Sequence, residues 1–144
     1  QELTQMLIQG KGSKETARAL SKKLEANYKN CLRLIHTEHS YFMEQASQKA
    51  YNELDVDKYE ILATLDKRTS KICQDLDGEV FNVKDAVVGV NMPPFHWHPY
   101  CRTTTIPYIE DNISTRFARD EKGKGIEISS SMTYKEWAKI YKVK

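Results

Sequence analysis

The sequence lacks any apolar run long enough to cross a lipid bilayer, which takes roughly 18 or more consecutive apolar residues. It also lacks the charged, apolar and small-residue segments of a secretory signal peptide. These absences predict a protein without membrane contact. The formal net charge is only +2, so charge by itself does not indicate binding to nucleic acid.

Cysteine is scarce, with three residues at wide spacing, Cys31, Cys73 and Cys101. An odd and widely spaced set does not indicate a disulfide framework, so we expect reduced thiols. No internal repeat or low-complexity tract is present. The length of 144 residues fits one domain that can bury a core. Because the chain begins at Gln1 rather than Met, we expect a piece of a longer protein.

The first part of the chain has the apolar spacing of helices. Residues 2–9 predict a short helix that ends at Gly10, and Ser13 is a suitable N-cap for the next helix. From Lys14 to about Leu54 apolar residues recur at helical spacing and predict one stripe, which Phe42, Ala46 and Ala50 continue. This stretch is long for a single helix, so we expect a break near Asn27–Asn30.

The pattern then changes to the alternation that is typical of strands. Tyr59, Ile61, Ala63 and Leu65 predict a first strand. Shorter elements follow, with helical turns over 66–73 and 84–88, strands over 79–83 and 102–109, and a Pro-rich loop over 89–100. Pro107 indicates an edge position for the last of these strands, because proline cannot donate to a sheet.

The end of the chain predicts an exposed polar arm over 111–125, a short strand over 126–128 and a final helix. Thr133 and Glu136 match a capping box for that helix, whose apolar side includes Trp137. The order of elements predicts an α+β fold, with two or three N-terminal helices, a small antiparallel β half with a Pro/His-rich loop, and the arm with its helix. We divide the chain into a core domain over 1–110 and an arm with a docked or extended helix over 111–144.

One loop concentrates metal-ligating side chains, namely His96, His98 and Cys101, with Cys73 upstream. Thiolate and imidazole are the ligands that zinc prefers. The sequence has no paired CxxC motifs, however, so two interpretations remain open. The four residues are a zinc site, or they belong to a hydrogen-bonded loop with buried thiols and no cofactor.

A second group of polar residues contains Asp66, Arg68, Asp75 and Asp77. Carboxylates near a His-rich loop are compatible with a metal-dependent nuclease, since hydrolysis needs a metal-held water and a base. The structural alternative is that Asp66 caps the next helical turn, that Arg68 pairs with an acid or with loop carbonyls, and that Asp77 supports the turn at Gly78. Within the long helical stretch, we expect Thr37 and Glu38 to reach across to the sheet.

Five motifs occur in the order of a known family. They are, in chain order, the segment Leu32–Glu38, the tetrapeptide Asp66-Lys67-Arg68-Thr69, Cys73, the turn Leu76-Asp77-Gly78, and the pentapeptide His98-Pro99-Tyr100-Cys101-Arg102. Together they resemble the phage Mu F-like minor head proteins, the head-morphogenesis family of tailed phages. The residues around Arg116 and those over 132–137 are similar to the endings of such proteins from phages of low-GC Gram-positive hosts.

The sequence departs from the family pattern at three places. His36 stands where the family usually has arginine, and Ser70 and Thr103 stand where many members have two further cysteines. Those four-cysteine members suggest a zinc site. A complete metal shell in this chain would therefore need His96 or His98 in place of the missing thiols.

The resemblance implies a low-copy structural protein inside the capsid near the portal, present in the host cytoplasm during assembly, and not an enzyme. It implies contacts with portal and major capsid or scaffolding proteins, and a role in DNA packaging or delivery. We expect the arm and the Trp137 helix to offer the docking surfaces. We expect a structural polar network of Thr37, Glu38, Asp66, Arg68, Thr69, Asp77 and Arg102. The alternatives are the metal-dependent nuclease and a zinc-stabilised DNA-binding module.

Overall fold

The computed structural model describes residues 4–5, 8–95, 98–110 and 114–141. Much of the helix predicted over 2–9 lies outside these residues, and so does His96. The described part is α+β, as the sequence predicted, with helices first, two antiparallel sheets next and a short helix at the end. Within the described residues, no helix is both long and apolar enough to span a membrane.

Two helices form the N-terminal half, α1 (Ser13–Lys23) and α2 (Tyr28–Glu53). The break between them lies where the sequence predicted it, because Asn27 caps α2 by accepting a 2.9 Å hydrogen bond from the Lys29 N–H. The two helices pack through a small core of Ala17, Leu20, Cys31 and Ile35. The first half of α2 therefore serves as the partner of α1.

The second half of α2 presents a different face to the protein. The sequence predicted one continuous apolar stripe that included Phe42 and Ala46, but both residues are exposed. Glu44 and Tyr51 are buried instead. They are seven residues apart, which is about two helical turns and places them on one face. This face turns toward the sheet.

The main sheet has three antiparallel strands, β1 (Lys58–Leu62), β2 (Val80–Asn82) and β3 (Thr104–Pro107), in the order β2-β1-β3. A short helix, α3 (Lys71–Leu76), lies between β1 and β2 in the chain. A 3₁₀ turn follows β2 at Val83–Asp85. Pro107 lies in an edge strand, as predicted.

The predicted alternation along β1 is confirmed and continues beyond the strand. Tyr59, Ile61, Ala63 and Leu65 are all buried, while the residues between them are not fully buried. Tyr59, Ile61 and Ala63 enter the central core, which also holds Met92 and Phe95 from the loop and Cys73 from α3. Leu65 belongs to a second core.

The C-terminal part is a hairpin and a helix. The hairpin has strands β4 (Thr115–Arg119) and β5 (Gly125–Ser129), followed by α4 (Tyr134–Ile140). The expectation of an exposed arm over 111–125 was wrong for β4, because its Arg116 and Ala118 are buried. β4 contacts the segment that follows β1, where the Arg119 N–H donates to the Leu65 carbonyl at 3.1 Å.

The final helix is fixed to this hairpin by Trp137. Its side chain is 0% exposed, and its Nε1–H donates to the Arg119 carbonyl at 3.0 Å. The Trp137 ring is therefore an interior residue, as suits an aromatic side chain of this size. That other residues of this helix offer a docking surface stays a prediction. The predicted capping box of Thr133 and Glu136 is present. The division of the chain at residue 110 into two domains stays a prediction.

Candidate functional site

An ion pair between Asp66 and Arg102 joins the turn after β1 to the end of the loop that carries His98 and Cys101. Asp66 follows β1, and Arg102 precedes β3. Both guanidinium Nη atoms of Arg102 donate to the Asp66 carboxylate, one of them at 2.7 Å to Oδ1. Hydrogen bonds from Arg102 are the main reason that the pKa of Asp66 falls to about 2, against a smaller opposing effect of burial. The carboxylate is therefore ionised at neutral pH.

Other residues around Asp66 complete a tight turn. The Arg68 N–H donates to Asp66 Oδ1 at 2.8 Å, and the Thr69 hydroxyl donates to the Thr64 carbonyl. The Arg68 guanidinium lies 3.6 Å from Asp66 Oδ2, but its side chain is 79% exposed. Tyr134 of α4 donates its hydroxyl to the Asp66 carbonyl at 3.1 Å. The turn thus holds the central sheet, the metal-ligand loop and the final helix together.

Asp77 and Arg116 form a second ion pair, which is deeper than the first. Arg116 donates from both Nη atoms to the Asp77 carboxylate, at 3.1 and 2.9 Å. Asp77 also accepts from the Ala63 N–H at 2.7 Å and from the Tyr134 N–H at 2.6 Å. From the sequence we expected Asp77 to support the turn at Gly78. In the structure, the Asp77 carboxylate accepts hydrogen bonds from three other parts of the chain. A buried charge needs such partners, because unpaired burial is costly.

Glu44 links α2 to the sheet. Its Oε1 accepts from the Thr104 hydroxyl at 2.7 Å, and its Oε2 accepts from the Thr105 hydroxyl at 2.8 Å. The residue is 2% exposed, and burial raises the pKa of its carboxyl above the ordinary value against the effect of these hydrogen bonds. From the sequence we expected Thr37 and Glu38 to connect the long helix to the sheet. Thr37 instead donates to the Arg33 carbonyl within its own helix.

Sequence reasoning missed both Glu44 and Arg116. For Glu44 a signal existed, since it stands two helical turns before Tyr51 on the face that meets the sheet. For Arg116 the signal was weaker, because an arginine within a strand of a polar segment is more often exposed. Its alternation with Ala118 was the available clue.

The metal-ligand candidates converge on one point of the structure. Cys73 comes from α3, while His98 and Cys101 come from the loop before β3. Cys73 Sγ lies 3.1 Å from His98 Nε2 and 3.9 Å from Cys101 Sγ, and the three ligand atoms all lie within 4.8 Å of one another. The fourth candidate, His96, lies outside the described residues.

The two thiols of this cluster differ in their proton affinity. The hydrogen bond between Cys73 and Cys101 lowers the pKa of Cys73 and raises the pKa of Cys101, so the pair holds one negative charge more readily than two. Ser70 and Thr103 also contribute hydroxyl groups to the Cys73 sulfur. Both residues stand at the departures from the family pattern noted in the sequence, and the structure places them beside the two thiols.

A surface pocket of about 470 Å³ opens beside the cluster. Its wall includes Ser70, Cys73, His98, Arg102 and Thr103. The cluster is therefore buried on one side and reachable from solvent on the other. Chemically, this arrangement can hold a thiophilic cation, or it can remain a hydrogen-bonded pair of thiols with an imidazole.

His36 and His39 of the long helix line a neighbouring pocket with Glu44 and Cys101. The His36 ring lies 5.4 Å from the Tyr100 ring, centroid to centroid, at a tilted angle. Ring contact of this kind packs α2 against the loop. Neither histidine joins the metal-ligand cluster. Among the described residues, the potential ligands that lie close together are Cys73, His98 and Cys101.

Comparison with known proteins agrees with the sequence motifs. The family described as Phage Mu protein F like protein matches residues 1–106, which is most of the chain. NAD(+)--arginine ADP-ribosyltransferase EFV of Enterococcus faecalis is 33% identical over 147 aligned positions, and the match covers 91% of this chain. The chain spans 29% of the length of that relative. No solved structure matches.

The matched region contains the helical hairpin, the three-stranded sheet and the Cys73, His98 and Cys101 cluster. It ends within β3, so the hairpin and α4 follow it. The motifs, their order and the extent of the match all lead to one assignment. The chain belongs to the phage Mu protein F like family, a family of phage head morphogenesis proteins.

Proposed function

We propose that this chain is a structural, low-copy component of a tailed-phage or prophage head, acting in head assembly near the portal. The observation that carries this proposal is the family match over residues 1–106. The partners we propose are the portal protein and the major capsid or scaffolding protein, with packaged DNA as a further contact. The location that follows is the interior of the virion, with the host cytoplasm during assembly.

The hydrogen bonds of the buried carboxylates support a structural role. The buried carboxylates Glu44, Asp66 and Asp77 accept hydrogen bonds that join separate segments of the chain. Within the described residues, every buried side-chain nitrogen and oxygen has a hydrogen-bond partner. Fully satisfied networks of this kind fix one conformation, which suits a piece that must dock in a defined geometry.

The nuclease hypothesis has less support. It requires a carboxylate to hold a metal ion beside the His-rich loop. Both oxygens of Asp66 accept from Arg102, and both oxygens of Asp77 accept from Arg116. A metal ion at either carboxylate would therefore have to share oxygens that already accept from an arginine.

The relative named as an ADP-ribosyltransferase raises a separate question about catalysis. The match spans 29% of that protein, so most of its length lies outside the shared region. We propose that the shared region is the head-protein part and that the activity in its name belongs to the remainder. The isolated chain should then release no nicotinamide from NAD⁺ and label no arginine substrate. Labelling by the chain alone would contradict a non-enzymatic role.

The docking surface we propose is the outer side of the C-terminal hairpin and helix. Phe117 of β4 is 64% exposed and Ile140 of α4 is 58% exposed, whereas their neighbours Ala118 and Trp137 are buried. Both side chains are accessible to a partner protein, and their buried neighbours hold the elements that carry them in place. Ile140→Glu should therefore leave the thermal transition unchanged and reduce incorporation into heads.

The experiment is genetic complementation in a phage or prophage that encodes this chain. Deletion of its gene should yield few infectious particles, and wild-type protein should restore them and copurify with heads at a few copies. Ile140→Glu should restore less than the matched control Val90→Glu, which changes a residue that is 65% exposed in the loop. Normal infectivity of the deletion, with the protein absent from wild-type heads, would overturn the proposal.

A further inference from the structure

The cluster of Cys73, His98 and Cys101 has the dimensions of a zinc site. In a tetrahedral site with Zn–S bonds of about 2.3 Å, two thiolate sulfurs stand about 3.8 Å apart. The Sγ atoms of Cys73 and Cys101 are 3.9 Å apart, and a disulfide would need about 2.05 Å. The sulfur positions therefore fit joint coordination of one ion. His98 Nε2 is 3.1 Å from Cys73 Sγ, against about 3.5 Å between such ligands in a tetrahedral zinc site, so the imidazole needs a small outward shift.

The imidazole of His98 is oriented for the same purpose. Its Nδ1 lies 3.4 Å from the Pro99 carbonyl, which can accept only from a protonated nitrogen. A proton on Nδ1 is compatible with that contact and leaves the Nε2 lone pair free for a metal ion. Metal-binding histidines commonly donate the other ring N–H to a carbonyl or carboxylate in this way.

We propose that this chain binds one Zn²⁺ ion through Cys73 Sγ, Cys101 Sγ and His98 Nε2, with a water molecule from the adjacent pocket as the fourth ligand. The donor set selects the metal, because two thiolates and an imidazole suit zinc, whereas Mg²⁺ and Ca²⁺ require oxygen ligands. Binding releases the proton of any ligand thiol to solvent, and no other bond changes.

The pocket explains why the fourth position is open. Ser70 Oγ lies 3.2 Å from His98 Nε2, so a hydroxyl, which is a poor zinc ligand, occupies the place of a potential third thiolate. Thr103, which also lines the pocket, is another hydroxyl residue and is buried. Among the described residues, no further thiolate or imidazole joins the cluster, so solvent in the pocket supplies the fourth ligand.

The proposed ion would join α3 to the loop that leads into β3. These two segments are 25 to 28 residues apart along the chain, as measured from Cys73 to His98 and to Cys101. A ligand that binds the folded state but not the unfolded chain raises stability through its binding free energy. We therefore expect the zinc-loaded chain to melt at a higher temperature than the chelator-treated chain.

The test uses the purified chain without a tag, with Zn²⁺ content measured by elemental mass spectrometry and with Co²⁺ as a spectroscopic probe. Wild-type protein should contain about one zinc per chain. Its Co²⁺ form should show the visible bands of a tetrahedral ion and a sulfur-to-cobalt charge-transfer band. Cys73→Ser and Cys101→Ser should lose the metal, and His98→Asn should weaken binding at least tenfold.

Two further variants keep the test independent of folding defects. Cys31→Ser removes the thiol in the separate helical core and should retain the metal with an unchanged spectrum. Ser70→Cys should add a third thiolate, so its charge-transfer band should become stronger and its zinc affinity higher. This gain cannot arise from misfolding.

Several results would overturn the zinc site. They are a folded wild-type chain that binds neither Zn²⁺ nor Co²⁺, an octahedral Co²⁺ spectrum without a charge-transfer band, or full binding by Cys73→Ser. Any of these would make the three residues a hydrogen-bonded cluster. The test uses the chain alone and so leaves the proposed role in head assembly unaffected.

Discussion

Asp77 and Arg116 are paired in the interior of the protein, with Arg116 Nη2 at 2.9 Å from Asp77 Oδ1 and with side chains that are 0% and 6% exposed. They are 39 residues apart along the chain, so the pair fastens β4 to the turn after α3. The same carboxylate accepts the N–H of Tyr134, the first residue of α4. One buried carboxylate thus fixes the position of both C-terminal elements.

Loss of Arg116 should be among the most damaging single changes. Arg116→Met leaves the Asp77 charge buried without its partner, and we expect a loss of about 3–5 kcal/mol in the free energy of unfolding. Urea unfolding followed by circular dichroism measures this loss. The double variant with Asp77→Asn should lose less than the sum of the two single variants, because the uncompensated charge is gone.

Arg119→Met is the matched control for this experiment. Arg119 lies on the same strand with its side chain exposed, and it donates to the Gly123 carbonyl. We expect a loss below about 1 kcal/mol for an exposed position of this kind. Equal losses for the two arginines would show that the ion pair does not carry the stability that its burial implies.

The Asp66 and Arg102 pair should make stability depend on pH in the acidic range. The pKa of Asp66 is lowered from 3.8 to about 2 in the folded state. The stabilisation, about 2 kcal/mol, is present above the unfolded pKa near 4 and is lost as the pH falls toward 2. Unfolding measured from pH 5 to pH 2 should show this loss.

Asp66→Asn and Arg102→Ala should both be destabilised by a few kcal/mol at pH 7. Their pH profiles below pH 4 should be flatter than that of the wild type. Arg68→Ala is the control, since that guanidinium is exposed and 3.6 Å from the same carboxylate. Unchanged melting curves for both Asp66→Asn and Arg102→Ala would refute the structural role of this pair.

Glu44 should produce a pH effect of the opposite sign. Burial raises its pKa above the ordinary value of 4.5, so the folded state favours the neutral form. Its contribution is present below the ordinary pKa and is lost as the pH rises through the raised value. Glu44→Gln should remove this dependence, so that stability relative to wild type increases from pH 4 to pH 7.

The control for Glu44 is Glu53→Gln, at the exposed end of the same helix. It should leave the pH profile close to that of the wild type. The free energies of unfolding of Glu44→Gln and the wild type are compared from pH 4 to pH 7. If the two change in parallel, the carboxyl of Glu44 does not titrate as its burial predicts.

Gly78 should resist substitution for two reasons. Its φ of +83° disfavours any residue with a Cβ, and a Cβ there would stand 3.0 Å from Thr133 Cγ2. We expect Gly78→Ala to cost about 1–2 kcal/mol for the backbone, plus the contact. Gly123→Ala has a φ of +81° and open space around it, so it isolates the backbone part. Equal losses would show that Thr133 moves aside at little cost.

Much of the β half could be predicted because its signals are local. The alternation from Tyr59 to Leu65 marks the buried face, and Pro107 marks an edge, whatever the rest of the chain does. The capping box of Thr133 and Glu136 is also local, since its hydrogen bonds span three residues. The pairing of Cys73 with the 98–101 loop was a hypothesis from residue type alone.

The buried polar residues could be predicted only in part. Asp66 and Arg102 were named from motifs, but sequence reasoning chose Thr37 and Glu38 where the fold uses Glu44. The error has a physical cause. The long helix faces α1 with its first half and the sheet with its second half, and periodicity does not reveal which partner each face meets.

By itself, the sequence determined the α+β class, the strand that begins near Tyr59, the helix boundary near Asn27 and the family, because each of these follows from residue spacing or short motifs. Only the tertiary structure decided that Arg116 and Trp137 are interior residues, that Asp77 serves three distant segments, and that two thiols and an imidazole meet beside Ser70. Such contacts join residues far apart in the chain. They depend on how the elements pack, and local sequence carries no record of that packing.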